Sequence, residues 1–231
     1  MEFFKDEGIT MNQFIEKLKK ELNVKKIAYT ARLDPMARGV VPILINDQCK
    51  QLDIMTKKNK IYSVKIIVGI STDSDDILGI IGNIDQNISY KKVIKDKLKQ
   101  IYGLLPMQLH QKYHYYSTKQ LIARRRNDST QYYNDVCLYD LDIIYEGKIP
   151  KNVFIDYVIN IINKVDNRCD FRQNEITSMW DIYREKINDV EFIEVELDVS
   201  NGFFVRQFIN DICKDIGIPL MCFQITRIFI Y

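Results

Sequence analysis

The chain has 231 residues, enough for one large domain or two small ones with a sizeable core, and its 33 Lys and Arg against 31 Asp and Glu leave a charge of only +2. That balance excludes nucleic-acid binding by the overall field, so any such binding has to come from a local patch. Five cysteines at 49, 137, 169, 213 and 222 form no Cys-x-x-Cys pair, and their odd number argues against a disulfide framework. No apolar run approaches about 18 residues, and the N-terminus lacks the basic and apolar regions of a signal peptide. The expectation is a soluble protein, with no membrane segment, of the cytoplasm or another reducing compartment.

Thr10-Met-Asn-Gln13 has the form of a capping box, and Met11, Phe14, Ile15, Leu18 and Leu22 recur at helical spacing, which predicts a helix over about 11–22. The stretch from Tyr29 to Val41 centres on Asp34, a lone carboxylate followed by Pro35, whose fixed φ holds Leu33 and Asp34 out of a helix. Gly39 permits a close-packed backbone before the apolar run Val40 to Ile45, read as a buried strand. Lys60 to Gly69 alternates with Tyr62, Val64, Ile66 and Val68 on one face, the pattern of a half-buried strand, and runs into a polar loop from Ser71 to Gly79.

Ser89 is placed to cap a helix that Gly103 breaks and Pro106 keeps from resuming. Ser117 to Gln120 reads as a second capping box, opening a helix that ends in Arg124, Arg125 and Arg126. Val136 to Tyr145 reads as a strand and Asn152 as the cap of the next helix, while 166–189, polar around the single Trp180, reads as irregular. Ile193, Val195, Leu197 and Val199 alternate with Glu194, Glu196 and Asp198, predicting a strand with one acidic, solvent-facing side. Asn201-Gly202 then turns the chain into a helix lined by Val205, Phe208, Ile209, Ile212 and Ile216, stopped by Gly217 and Pro219, and a last strand covers about 222–230. The fold class is α+β, around a mixed, largely antiparallel sheet flanked by helices.

By residue type alone, Asp34 is an Asp-Pro turn, Arg206 a surface arginine opening a helix, and Tyr62 one strand tyrosine among 14. The motifs read differently together. Thr30, Leu33, Asp34, Pro35, Ala37, Gly39 and Val40 match a Gly-His-Thr-Gly-x-Leu-Asp-Pro-x-Ala-x-Gly-Val-Leu pattern. Lys60-Ile-Tyr62 matches a Lys-x-Tyr phrase, Gly69 to Asp76 a Gly-x-x-Thr-Asp-Thr-x-Asp loop, and Ser200 to Arg206 a Ser-x-Gly-Thr-Tyr-Ile-Arg turn. Ile225-Thr-Arg227 echoes a Leu-Arg-Arg strand. These islands, in this order across 8–80 and 195–231, resemble the TruB family of pseudouridine synthases. The expectation is one catalytic domain over 1–231, with 127–190 unaligned and no PUA domain after it.

The resemblance implies a tRNA pseudouridine synthase acting on the T-arm, at the uridine of position 55. Such an enzyme breaks the N1–C1′ bond, turns the base and rejoins it through C5, with no cofactor and no metal. Asp34 is the implied catalytic carboxylate, attacking C1′ or C6 or stabilising charge at the sugar. Arg206 is the implied partner, holding it through paired hydrogen bonds, and Tyr62 stacks on the flipped base. Tyr29, Arg32, Asp73, Phe204 and Ile225 are implied to contact substrate, Asp73 in a positioning role, with metal binding by Asp73, Asp75 and Asp76 as its alternative reading. Tyr29 stands where the family has a histidine, and Phe204 where it has a tyrosine.

Outside the motifs, Lys112, Lys119 and Arg124 to Arg126, interleaved with tyrosines, have the composition of an RNA-contacting segment or of a solvated helix face. His110 and His114 are four apart but lack the glutamate of a metalloprotease helix, so no zinc site is expected. Two further readings stay open: a non-catalytic RNA-remodelling protein on the same fold, and a guide-RNA-dependent synthase subunit. No obligate protein partner is expected.

Overall fold

The computed structural model describes residues 1–126 and 128–231, and the side chains of all of these except Thr118, Lys119, Ala123 and Arg124. The chain opens with strand β1 (Glu2–Lys5), helix α1 (Met11–Glu21), and strands β2 (Ile27–Tyr29) and β3 (Arg38–Ile45). A 3-10 turn and the short helix α2 (Leu52–Met55) lead to β4 (Lys60–Val68) and then the hairpin of β5 (Ile70–Thr72) and β6 (Ile81–Ile84). Next come α3 (Tyr90–Tyr102), β7 (Met107–Lys112), α4 (Thr118–Arg125), β8 (Tyr133–Ile149), α5 (Lys151–Lys164) and α6 (Gln173–Tyr183). The chain finishes with β9 (Val190–Val199), α7 (Val205–Ile216) and β10 (Leu220–Ile230).

The main sheet runs β1-β3-β10-β4-β9-β8-β7, with β2 joined to β3. Every pairing is antiparallel except that of β10 with β3. It is the mixed, largely antiparallel α+β architecture that the alternating patterns imply. Tyr62, Val64 and Ile66 of β4 and Val195, Leu197 and Val199 of β9 are buried, as period-2 geometry requires of one sheet face. Residues of α1, α3, α5, α6 and α7 complete the same core.

α1 begins with both halves of its capping box: Gln13 N donates to Thr10 Oγ1 at 3.2 Å, and Thr10 N to Gln13 Oε1 at 2.7 Å. Gly39 has φ +128°, and a Cβ there would fall 2.2 Å from the Arg227 carbonyl, so only glycine lets β3 and β10 approach. Among the described residues no helix is long and apolar enough to cross a membrane.

Several local readings change. Ser89 precedes α3 without capping it, because its hydroxyl donates to Asn87 Oδ1. α5 starts at Lys151 after Pro150, not at an Asn152 cap, and a distant carboxylate does the capping: Lys151 N donates to Asp189 Oδ1 at 3.0 Å. Residues 166–189 are not wholly irregular, since α6 buries Ile176 and Trp180 and sets that indole edge-on to Phe154. The acidic side of β9 is half-buried: Glu194 accepts from Ser63 Oγ at 2.6 Å and pairs with Lys65. The Ser71–Gly79 loop, polar in sequence, is largely buried.

Candidate active site

The loop from Thr30 to Ala37, between β2 and β3, is shaped from beneath by two cations that are 0% exposed. Lys5 at the end of β1 donates its Nζ to the carbonyls of Asp34 (3.2 Å), Pro35 (3.3 Å) and Ala37 (2.7 Å), and to that of Asp6 (3.0 Å). Arg227 of β10 donates Nε to Val40 O at 2.7 Å, and its two terminal nitrogens to Arg32 O and Ala31 O at 3.1 Å each. Buried carbonyls must find donors, and here seven of them turn onto the two side chains. Burial pushes the Lys5 ammonium down to about 8, with Asp34 and Asp6 opposing the shift.

Asp34 keeps its side chain 40% exposed at the cleft, with Oδ2 2.9 Å from Arg206 Nη2. Arg206 enters from the first turn of α7, its side chain only 9% exposed. Its Nη1 sits 3.0 Å from Asp76 Oδ2 and donates to Ser74 O at 3.1 Å. The guanidinium is therefore divided between two carboxylates. It does not make the two-pronged pairing with Asp34 alone that the resemblance implies. Burial works against the Arg206 charge, and Asp34 and Asp76 together outweigh it, so the group stays protonated. Asp76 is almost wholly buried, which pushes its carboxyl up against the opposing effect of Arg206; it also accepts from Ser74 Oγ at 2.7 Å and Leu78 N at 2.8 Å.

A cleft of about 350 Å³ opens over Asp34, walled by Arg32, Tyr62, Tyr113, Phe204, Arg206 and Ile225 among others. Tyr62 and Ile225 are buried on neighbouring strands, and Tyr62 lies across from Arg227 in the β4–β10 register. Burial pushes the Tyr62 phenol up, with the Arg227 charge opposing, so the phenolate that a base would need is disfavoured. Phe204 packs on Tyr113 with ring centroids 4.7 Å apart, and its amide and carbonyl are both bonded to the Gln111 side chain. A larger cavity, about 480 Å³ beside Gln86, Lys148 and Asn188, contains no motif residue.

Other predicted residues lie apart from this cleft. Tyr29 closes β2 and packs on the core, and it reaches toward the cleft through Arg32, whose Nη2 donates to its hydroxyl at 2.8 Å. Asp73 faces away, held by Arg172 at 2.7 and 3.1 Å, Ile80 N at 2.8 Å and Tyr116 Oη at 2.9 Å. Burial opposes its charge, but these bonds hold its carboxyl below the usual value. Lys112, Arg125 and Arg126 are exposed outside the cleft; the Lys119 and Arg124 side chains lie outside the described residues.

Asp73, Asp75 and Asp76 each serve a different partner, so they do not converge as a ligand set would. The two histidines also diverge. His110 stacks on exposed Tyr133 beside Asp135, and His114 is buried against Asp75. Reading the sequence did not single out Lys5 as the support of the Asp34 loop or Asp76 as the second partner of Arg206. Asp76 carried a signal, as the last residue of the matched acidic loop, whereas Lys5 carried none beyond its type.

The family described as "TruB family pseudouridylate synthase (N terminal domain)" matches residues 19–140. The chain is 26% identical to the tRNA pseudouridine synthase B of Staphylococcus saprophyticus over 232 residues, which takes in 97% of this chain and 63% of that protein. The chain thus spans less than two thirds of that relative's length. It is 46% identical to the tRNA pseudouridine synthase B of Mesoplasma florum over 77 residues, 33% of this chain and 27% of the relative. Among solved structures, the fold is similar to a chain of a Cbf5-Nop10-Gar1 complex, with a TM-score of 0.58 at 14% identity over 98% of this chain and 47% of that one. It is also similar to a chain of an H/ACA RNP bound to a substrate RNA containing 2′-deoxyuridine, with a TM-score of 0.53 at 13% identity, over 97% of this chain and 44% of the other. The matched family residues cover the Asp34 loop, the Lys60–Tyr62 phrase and the 69–79 loop, and with them most of the cleft: the chain belongs to the TruB family of pseudouridylate synthases.

Proposed function

We propose that this protein isomerises a uridine of tRNA, in the T-arm at position 55, to pseudouridine, with residues 1–231 acting as one catalytic domain. The observation that carries the reading is the chain Asp34–Arg206–Asp76 beneath a cleft lined by Tyr62 and Ile225. The names of the relatives, tRNA pseudouridine synthase B, support the substrate class. A flipped uracil stacks on the Tyr62 ring with Ile225 below it. Asp34 supplies the carboxylate oxygen that attacks C1′ or C6, or that stabilises charge at the sugar, as the N1–C1′ bond breaks. The base turns, C5 bonds to C1′, and the C5 proton leaves as N1 gains one. Atoms balance within the nucleotide, so the residues of the cleft need supply only charge, orientation and proton transfer.

Arg206 acts as the hinge of this arrangement. Anchored on Asp76, it presents Nη2 to Asp34 and fixes the carboxylate's direction while leaving its second oxygen to the substrate. Tyr62 serves as the stacking ring, and its raised pKa makes it a poor base. Arg32 and Phe204 line the cleft mouth, and the exposed Lys112, Arg125 and Arg126 contact RNA phosphates.

The test is pseudouridine mapping of tRNA incubated with the purified protein alone, for the parent and Asp34→Asn. The parent is expected to modify the T-arm uridine, and Asp34→Asn to bind the RNA within a few fold but modify none. Pseudouridine formation by Asp34→Asn would remove the carboxylate from the mechanism. Inactivity of the parent without guide RNA would move the protein to a guide-dependent or non-catalytic role.

A further inference from the structure

Beside the cleft is a buried pair that the chemistry above does not use. His114 and Asp75 meet at 2.8 Å, Nε2 to Oδ2, with side chains only 4% and 10% exposed. Asn210 of α7 donates to the same Asp75 oxygen. The other ring nitrogen is also engaged, since Tyr116 N donates to His114 Nδ1 at 3.2 Å. A nitrogen that accepts a backbone N–H carries no proton, so the proton is on Nε2 and points at Asp75. With both nitrogens committed inside the protein, His114 has none to offer a substrate, and it is not a proton-transfer group.

Its position gives it another role. His114 lines the cleft together with Tyr113 and Ser117, and Ser117 N donates to His114 O at 2.8 Å. Asp75 stands in the loop whose neighbours Ser74 and Asp76 hold Arg206. Its φ of +57° is in the left-handed region, where aspartate is tolerated at some cost. That backbone lets adjacent carboxylates face different ways, Asp75 toward His114 and Asp76 toward Arg206. Cys222 N donates to Asp75 O at 2.9 Å, which ties the loop to β10.

We propose that His114, acting through Asp75, is a positioning residue for RNA entry: it clamps the cleft wall of Tyr113 and Ser117 onto the loop that supports Arg206. The inference rests on the reading of the cleft as a uridine site. Loss of the clamp frees the wall and leaves the Asp34–Arg206–Asp76 contacts in place, so it weakens RNA capture more than it slows the bond chemistry. Charge is not what the clamp needs. A carboxamide oxygen at position 75 can accept from both His114 and Asn210, whereas a methyl group cannot.

The experiment compares His114→Ala, Asp75→Ala, Asp75→Asn and the His114→Ala/Asp75→Ala double variant. Three readouts are taken: amide exchange over 112–120, affinity for a tRNA T-arm stem-loop measured in an Asp34→Asn background, and KM against kcat for pseudouridine formation. His114→Ala and Asp75→Ala are expected to speed exchange at 112–120 at least tenfold, and to raise Kd and KM about tenfold with kcat changed less than threefold. The double variant should be no worse than either single one, and Asp75→Asn should recover most of the loss. Unchanged affinity in the folded alanine variants would overturn the clamp. So would a fall in kcat without a change in KM, or equal behaviour of Asp75→Asn and Asp75→Ala. If His114→Ala does not fold, the contrast at position 75 still decides. Failure of the pseudouridine reading shows separately, as a parent that makes no pseudouridine while exchange and affinity still judge the clamp.

Discussion

Replacing Arg206 with alanine should separate what the guanidinium does for folding from what it does for chemistry. Its two carboxylate partners differ in exposure, 40% for the Asp34 side chain and 3% for that of Asp76. Asp34 can rehydrate when the arginine is lost. Asp76 cannot, and among the described residues it is left as a buried charge bonded to Ser74 Oγ and Leu78 N. Stranding one member of a buried pair costs about 3–5 kcal/mol, a large part of the roughly 5–15 kcal/mol that holds a domain folded.

The cost depends on pH with a definite sign. Burial already raises the Asp76 carboxyl above 3.8, and losing Arg206 removes the opposing effect. Between the unfolded and folded values the folded state holds a proton that the unfolded state has released, so stability falls as pH rises through that window. Arg206→Ala should therefore lose least, relative to the parent, at acidic pH and most above the folded value. Adding Asp76→Asn removes the stranded charge, and it should restore most of the stability at neutral pH but none of the pseudouridine formation. Urea unfolding of parent, single and double variants from pH 4 to 8, with activity measured in parallel, checks this. A single variant within about 1 kcal/mol of the parent at pH 7 would refute the reasoning, as would a double variant no more stable than the single.

Lys5→Met should leave the inward carbonyls of the 34–37 loop without their donor and destabilise the protein by about 3 kcal/mol or more in urea titrations, with faster amide exchange across 31–38. Arg125→Gln with Arg126→Gln, both exposed, should barely alter unfolding but reduce the slope of log K against log salt for tRNA by about 1.4–1.8 if each contacts one phosphate. Tyr29→Phe should remove the hydroxyl bond to Arg32 while keeping the ring beneath its guanidinium, and so weaken RNA affinity only mildly with kcat at saturating RNA near that of the parent; binding isotherms and saturation kinetics read the two effects apart.

Much of the frame is local in origin and could be read along the chain. Capping at Thr10 and Gln13 begins α1, alternation marks β4 and β9, and Gly217 in the left-handed region ends α7. These follow from backbone periodicity and cap chemistry within a few residues, and the motif islands around Asp34, Tyr62 and Arg206 are likewise contiguous strings. What only the tertiary structure decided is which distant groups complete each one. Lys5 and Arg227 become the donors beneath the Asp34 loop because β1 and β10 both flank β3, and no spacing in the chain encodes that adjacency. The order of three carboxylates in the acidic loop could not say which one supports Arg206, because the left-handed turn at Asp75 sends neighbours in different directions. Tyr29 and Asp73 looked alike as motif positions, yet the fold gives one to Arg32 and the other to Arg172. Sequence sets the local conformations by short-range sterics and hydrogen bonding; burial and the pairing of charges across the sheet assign the long-range partners.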